Sequence, residues 1–168
     1  MLAIVVPHGD DTRRELSAVA EDMATLYDYW DRKRQGRRMP ARRDLDPADM
    51  VHHLPGVMLV DVVADERRFI YRLVGTREVS MRGRDPTGKS VFDEFFAESA
   101  EFSVACYQDL VERATPIIYK NREFTTPDGR FGREHTVLLP LSDDDTHVTM
   151  ILVYTHHMFG ESLSRAAR

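Results

Sequence analysis

The sequence has one cysteine, Cys106, among its 168 residues. A single thiol excludes an intramolecular disulfide and a metal site built from several thiolates, and it fits a reducing compartment. No apolar run approaches the roughly 20 residues that cross a bilayer, and the opening MLAIVVPHGDD lacks the basic flank of a signal peptide. We therefore predict a cytoplasmic protein that does not enter the membrane.

The sequence also lacks an excess of basic residues. Its formal net charge is -5, with 42% hydrophobic and 30% charged residues, a composition typical of one globular domain. This charge argues against general binding to nucleic acid, which requires cations along the binding surface. One basic segment, DRKRQGRRMPARRD at residues 31–44, leaves nucleic-acid binding open beside its interpretation as a solvated helix end and linker.

An amphipathic helix is predicted from Arg14 to about Arg34. Its apolar residues recur at steps of three and four, and Gly36 followed by Pro40 ends it. The stripe includes Leu26, Tyr27 and Trp30. These three side chains are candidates for a homodimer interface or for packing against the domain's own sheet, and we expect a homodimer.

A β-hairpin is predicted where VMLVDVV and RFIYRLV flank a short polar turn. Simple alternation divides its side chains between two largely apolar faces. One face carries Val57, Leu59, Asp61, Ile70, Arg72 and Val74, and the other carries Met58, Val60, Val62, Phe69, Tyr71 and Leu73. Such a sheet needs cover on both sides, and the N-terminal helix is available for one of them.

Short helices and three further strands are predicted after Gly75. The helical segments are residues 76–82, a turn near VFDEFF and residues 97–114. Antiparallel strands follow at Ile117–Thr125, Arg130–Leu141 and His147–His156. The predicted fold class is therefore α+β, with five antiparallel strands.

This element order resembles the PAS fold. The segments YDYWDRKRQGRRMPARRDLDP, HHLPGVMLVDVV, RFIYRLVGT and GRDPTGKSVFDEF are similar to a proteobacterial PAS subfamily whose members begin with a tryptophan-bearing helix and a basic linker. The resemblance implies a five-stranded sheet with short covering helices. It divides the chain into an N-terminal extension at 1–45, a PAS-like domain at 46–157 and a tail at 158–168.

The resemblance leaves the cofactor unknown, because PAS domains hold different cofactors or none. Flavin photosensors of the LOV type need a reactive cysteine in an Asn-Cys-Arg-Phe-Leu-Gln-like loop, whereas Cys106 falls in a predicted helix. Haem-binding relatives use a histidine from the helix before the last three strands, and residues 97–114 contain none. His135 or His147 stays open as a haem ligand that approaches from the sheet.

Five residues are candidates for ligand binding: Met58, Phe69, Tyr71, Arg72 and His135. The first three lie together on one predicted hairpin face. Arg72 either clamps a carboxylate or phosphate or forms an ion pair with Asp61. The His135 side chain either binds a ligand or lies on a polar sheet edge.

No metal site is predicted from the histidine pairs His52–His53 and His156–His157. Adjacent residues on a strand point to opposite faces and on a helix diverge by about 100°, so neither pair makes a chelate.

The segment GRDPTGKS satisfies the phosphate-loop pattern literally. A working phosphate loop follows a buried parallel strand and opens a long helix, and neither is predicted here. We therefore interpret Asp85 and Thr87 as turn-forming residues.

The residues and the resemblance together predict a non-catalytic sensor or protein-interaction module of bacterial signalling. Any small ligand would lie between the sheet and the short helices, on a face that alternation does not decide. The alternatives are a small enzyme with an α+β cone pocket, in which His135, Asp61 or Tyr71 acts as acid or base, and nucleic-acid binding through the basic segment.

Overall fold

Six antiparallel strands form one sheet in the order β1-β4-β5-β6-β2-β3. The computed structural model describes residues 2–5, 10–96 and 99–159. The strands are β1 (Leu2–Val5), β2 (Val57–Val62), β3 (Phe69–Val74), β4 (Ile117–Thr125), β5 (Phe131–Leu141) and β6 (Met150–Met158). The five predicted strands and the α+β class are confirmed. The additional strand, β1, pairs with β4 at the edge of the sheet.

Four α-helices accompany the sheet among the described residues. They are α1 (Asp10–Ser17), α2 (Glu21–Arg34), α3 (Thr76–Arg82) and α4 (Ala100–Arg113), with short 3-10 turns at Arg42–Asp44, Pro47–Met50 and Leu54–Gly56. Ser99 caps α4, because its hydroxyl accepts a hydrogen bond from the Phe102 amide. None of these helices has the length and apolar character needed to span a bilayer.

The predicted single helix over residues 14–34 is wrong, because α1 and α2 are separate. The backbone at Ala20 is extended, which ends one helix and starts the next. Arg13 on α1 holds the two together by binding Glu21 and Asp28 of α2, each at 2.9 Å. Leu16 and Met23 are both fully buried, so the apolar spacing stays in phase across the break and does not reveal it.

Helix α2 covers one face of the sheet. Leu26, Tyr27 and Trp30 are buried there in the chain's own core, and the Trp30 indole donates a hydrogen bond of 2.9 Å to the Pro140 carbonyl. This placement corrects their assignment to a dimer interface, because at most 2% of each side chain is exposed. A homodimer through another surface stays a prediction, as do the domain boundaries at residues 45 and 157.

The hairpin of β2 and β3 contains a β-bulge that alternation did not predict. Val62 lies opposite Phe69 and Val60 opposite Tyr71, so these four side chains share a face, as predicted. Beyond the bulge the partner of Met58 is Val74, because the extra residue, Arg72, shifts the alternation of β3 by one position. The predicted faces were therefore wrong for Leu73 and Val74.

The GRDPTGKS segment lies along the outer edge of β3. Gly88 donates to the Tyr71 carbonyl, Tyr71 donates to Lys89, and Val91 donates to Phe69, at 2.7–3.0 Å. Asp85 accepts a hydrogen bond from the Thr87 amide at 2.9 Å, which confirms the predicted turn. The segment covers a sheet edge and opens no long helix, so the phosphate-loop match is coincidental.

Gly75, in the YRLVGT motif, is required by a close approach of two backbone segments. A Cβ at this position would lie 2.3 Å from the Leu54 carbonyl oxygen and 2.4 Å from that of Pro55. Glycine lets β3 turn into α3 directly against the 3-10 turn that precedes β2.

Candidate functional site

A cavity of about 60 Å³ lies between the sheet and helices α3 and α4. We call the sheet face that carries Glu134, Thr136 and Leu138 the cavity face, and the opposite face, which α2 covers, the helix face. The volume accommodates a few water molecules, or a molecule of a few non-hydrogen atoms. Pockets for drug-sized ligands are several times larger, on the order of 300–1,000 Å³.

A row of charged side chains crosses the cavity face on three neighbouring strands. Arg122 of β4 lies opposite Glu134 of β5, which lies opposite His157 of β6. Arg122 forms an ion pair with Glu134, and His157 Nε2 lies 3.1 Å from the second Glu134 oxygen. Glu78 of α3 completes the cluster, with its carboxylate 3.6 Å from His157 Nδ1. Side chains in this row are almost fully buried, with Glu134 only 1% exposed.

Arg82 of α3 lies on the other side of the cavity. Its guanidinium carbon lies over the rings of Tyr71 and Phe96, at 5.1 and 5.0 Å from their centroids. One of its terminal nitrogens donates to the Glu94 carbonyl at 3.3 Å, but its buried Nε has no hydrogen-bond partner. Among the described residues no carboxylate forms an ion pair with Arg82.

Burial shifts the protonation equilibria of this cluster. It raises the pKa of the Glu78 carboxyl, and it lowers the pKa of His157 to about 4. Burial also lowers the pKa of Arg122, and the nearby Arg82 cation acts in the same direction. At neutral pH His157 is therefore a neutral imidazole that can accept or donate a hydrogen bond.

We predict that His157 makes the folded protein sensitive to mild acid. Between its unfolded pKa of about 6.5 and its folded value of about 4, the unfolded chain binds a proton that the folded chain does not. Stability is therefore lost as the pH falls through this range, by at most about 3 kcal/mol. The raised pKa of Glu78 acts in the opposite sense.

Urea unfolding at pH 7.5, 6 and 5 measures this dependence. His157→Gln should reduce the loss of unfolding free energy as the pH falls, whereas His52→Gln, at an exposed position, should leave that loss unchanged. An equally steep loss in the His157→Gln variant would contradict the prediction.

Of the five residues predicted to bind a ligand, Met58 and Tyr71 line the cavity. Phe69 is buried beside them and packs on Tyr107, with ring centroids 5.5 Å apart. Arg72 lies outside the cavity, where its exposed side chain binds Asp61 at 2.7 Å. Of the two alternatives for Arg72, the structure shows the ion pair with Asp61 and not a side chain in the cavity.

His135 lies on the helix face, away from the cavity. It is adjacent in sequence to Glu134, so strand alternation directs the two side chains to opposite faces. The His135 ring accepts a hydrogen bond of 3.2 Å from the Asn121 amide. His156 and His157 diverge in the same way, since His156 lies 3.2 Å from Asp22 of α2.

The charged residues of the cavity were missed at the level of sequence. The sequence held part of the signal, because Glu134 and the apolar Leu138 are four residues apart on β5 and therefore lie on the same face of the strand. A charge at such a position indicates a buried polar site. For Arg122 and Glu78 no comparable pattern exists in the sequence.

The structure also bears on metal binding and on nucleic-acid binding through the basic segment. The described residues contain no group of three histidine, cysteine, aspartate or glutamate side chains arranged to hold a metal ion. Several cations of the basic segment bind nearby carboxylates, in the pairs Lys33–Asp49, Arg34–Asp31, Arg37–Asp44 and Arg43–Asp143.

A family model described as PAS domain matches residues 19–154. The chain belongs to the PAS domain family. The match begins within the predicted N-terminal extension and includes α2, so the tryptophan-bearing helix falls inside the matched region. PAS domains are generally sensor or signalling modules, and membership supports that class of function here. No curated protein matches the sequence.

Solved structures of PAS and LOV domains share this fold. An RNA-binding Light-Oxygen-Voltage receptor matches with a TM-score of 0.50 and 13% identity, over 66% of this chain and 32% of its own. The protein VqmA bound to DPO matches with a TM-score of 0.51 and 13% identity, over 66% of this chain and 56% of its own. VqmA of Vibrio cholera in a complex with ligand and DNA matches with a TM-score of 0.50 and 13% identity, over 66% of this chain and 49% of its own. The matched region thus spans less than two thirds of each of these proteins, and at such identity the likeness concerns the fold alone.

A flavin or a haem does not fit the cavity of this PAS domain. The space of about 60 Å³ holds only a few atoms, because Tyr71, Phe96, Phe102, Tyr107 and Tyr119 fill the region between sheet and helices. Cys106 lines the cavity from α4 and not from the loop that carries the reactive cysteine in LOV photosensors.

Proposed function

We propose that this PAS domain is a non-catalytic sensor or protein-interaction module of bacterial signalling that binds a small polar ligand in the cavity. The observation that carries the proposal is a set of buried polar atoms without hydrogen-bond partners around it. On the cavity wall, Glu78 Oε1 and Arg82 Nε belong to this set. Buried polar groups are bonded in the great majority of folded proteins, so a ligand or bound water would complete these contacts. The single cysteine supports a cytoplasmic setting.

A ligand in the cavity would act on the helices of both sheet faces, α3 and α4 on the cavity face and α2 on the helix face. It would touch α3 through Arg82 and α4 through Ser103 and Cys106. On β6, His157 reaches the cavity cluster while its neighbour His156 and Tyr154 bind Asp22 of α2. A shift of β6 would therefore reach α2 and the outer surface that it offers to a homodimer or signalling partner.

Native mass spectrometry of purified protein tests the proposal. We expect a retained small molecule in the wild type and its loss in Ser103→Leu, because the added side-chain volume fills the cavity. Ser80→Leu is the matched control, at an exposed position of α3 that does not line the cavity. The same spectra report the oligomeric state.

A compound screen by thermal unfolding complements the mass measurement. A ligand at a hundredfold excess over its Kd should raise the Tm of the wild type by roughly 5–10 °C. The Ser103→Leu variant should show no such shift. An empty wild-type cavity together with no responding compound would refute the sensor proposal.

A proton-transfer enzyme is the second candidate function. It is favoured by the Glu78 carboxyl, which lines the cavity and whose pKa is raised by burial, with the neutral His157 imidazole 3.6 Å from it. Of the residues first considered as acid or base, Tyr71 reaches the cavity, whereas Asp61 and His135 do not. Chemical conversion of a bound molecule that is lost in Glu78→Gln would favour the enzyme, and its unchanged release would favour the sensor.

A further inference from the structure

Two guanidinium groups face the same cavity, and their charges are compensated differently. Arg122 is paired with Glu134 and also donates to the Phe96 carbonyl. Arg82 has only neutral neighbours among its hydrogen-bond partners: the Tyr71 hydroxyl at 3.5 Å, the Glu94 carbonyl at 3.3 Å and the Met58 sulfur at 3.3 Å. These contacts are long or involve a weak acceptor. Arg82 is therefore a cavity cation without an ion-pair partner among the described residues, although its charge acts on the Glu78 carboxyl, whose pKa it lowers.

The geometry of Arg82 leaves its edge available to an acceptor. The guanidinium carbon lies over the rings of Tyr71 and Phe96, and the N–H donors of the group lie in its own plane. The buried Nε–H is unpaired. A planar carboxylate matches such an edge, because its two oxygens accept parallel hydrogen bonds from the guanidinium fork.

The rest of the cavity wall sets the size and charge of the ligand. Ser103, Thr136 and Thr155 place hydroxyl groups on the wall, which can donate to a second polar group. The carboxylates of Glu78 and Glu134 lie in the same cavity and would repel a dianion. A monoanion with a few non-hydrogen atoms satisfies both limits.

We propose that the cavity binds a small organic monocarboxylate, held by its carboxylate group on the edge of Arg82 that faces the cavity. This inference rests on the proposed sensor function and specifies the ligand class. It gives Arg82 a direct ion-pair partner, and it places the remainder of the ligand against the hydroxyl groups of the sheet.

A second cavity of about 210 Å³ provides the route of access. Arg82 and Phe96 line both cavities and therefore separate them. Arg84, Glu94, Phe95 and Pro127 line the outer one. Rotation of Arg82 and Phe96 would join the two spaces, so the residue that binds the anion also controls its entry.

Binding measurements with matched probes test the inference. Acetate and propionate are compared with their neutral analogues acetamide and propionamide, and with inorganic phosphate, by NMR titration at constant ionic strength. We expect saturable binding of the carboxylates to the wild type, with little or none for the amides and phosphate.

Two arginine variants assign the binding to Arg82. Arg82→Gln keeps a polar but shorter side chain and removes the charge, and it should weaken carboxylate binding roughly 10- to 100-fold. Arg67→Gln is the matched control at an exposed arginine of the turn between β2 and β3 that lines neither cavity, and it should bind as the wild type does. Arg82→Lys keeps the charge without the planar fork, and an intermediate loss is expected even if the glutamine variant folds poorly.

Three outcomes would overturn the inference. The first is carboxylate binding that is unchanged in Arg82→Gln and Arg82→Lys, the second is equal affinity for amides and carboxylates, and the third is no carboxylate binding to the wild type. Retention of a neutral molecule in native spectra would then still support the sensor proposal. An empty cavity with no responding compound would refute both.

Discussion

Trp30→Ala should lower the free energy of unfolding by about 3–5 kcal/mol, the range typical of removing a large aromatic side chain from a core. Trp30 is fully buried, and it is one of the largest side chains in the core. Its indole also donates to the Pro140 carbonyl, 110 residues away in sequence, so it joins α2 to the middle of the sheet. Urea unfolding followed by far-ultraviolet circular dichroism measures the loss, since Trp30 is the only tryptophan available for fluorescence.

Two further variants separate packing from hydrogen bonding. Trp30→Phe keeps most of the apolar contact and should cost about 1–3 kcal/mol, largely because it leaves the buried Pro140 carbonyl without its donor. Val51→Ala, at an exposed apolar position, should change stability by no more than about 0.5 kcal/mol. A Trp30→Ala variant as stable as this control would show that α2 is not part of the folding core, and would return Trp30 to the interface hypothesis.

The strands could be predicted because their sequence periodicity reflects burial directly. VMLVDVV, RFIYRLV and the three C-terminal segments are apolar runs bounded by turn residues, and antiparallel pairing of consecutive strands follows from the short turns. The break between α1 and α2 could not be found in this way. It depends on the extended backbone at Ala20 and on ion pairs of Arg13, neither of which changes the spacing of the apolar residues.

The cavity could be predicted only in part, because two bulges decide which side chains enter it. On β4 the residues between Tyr119 and Arg122 contain a bulge, with Asn121 in the left-handed backbone conformation at φ 57°. Regular alternation from Tyr119 would direct Arg122 away from the cavity, whereas the bulge brings it opposite Glu134. Asparagine tolerates this conformation better than most residues, but sequence alone does not place the bulge.

The two bulges have opposite effects on neighbouring arginines. Arg72, the extra residue of the bulge in β3, is exposed beside Asp61 and lies outside the cavity that the adjacent Tyr71 lines. The bulge in β4 buries Arg122. The arginine predicted to bind a ligand is therefore structural, while Arg82 and Arg122 supply the cavity with its positive charge.

Arg122→Met should destabilise the fold by about 3–5 kcal/mol at neutral pH. The change leaves the Glu134 carboxylate buried without its cation, and only 1% of that side chain is exposed to solvent. His157 then becomes the nearest group able to compensate the charge, with its Nε2 3.1 Å from the second Glu134 oxygen. Lowering the pH from 7.5 to 6 should consequently destabilise Arg122→Met less than it destabilises the wild type, because protonated His157 replaces the missing cation.

A double-mutant cycle with Glu134 separates the ion pair from the packing of the two side chains. Arg122→Met and Glu134→Leu each leave one charge unpaired, whereas the double variant removes both charges and retains apolar volume. We expect the double variant to be at least about 2 kcal/mol more stable than the sum of the single losses predicts. Arg133→Met with Glu123→Leu is the matched control, since this pair joins the same two strands at an exposed position, and its coupling should stay below about 1 kcal/mol. Equal coupling in the two cycles would mean that burial does not strengthen the Arg122–Glu134 pair, and that the cavity is open enough for water to screen its charges.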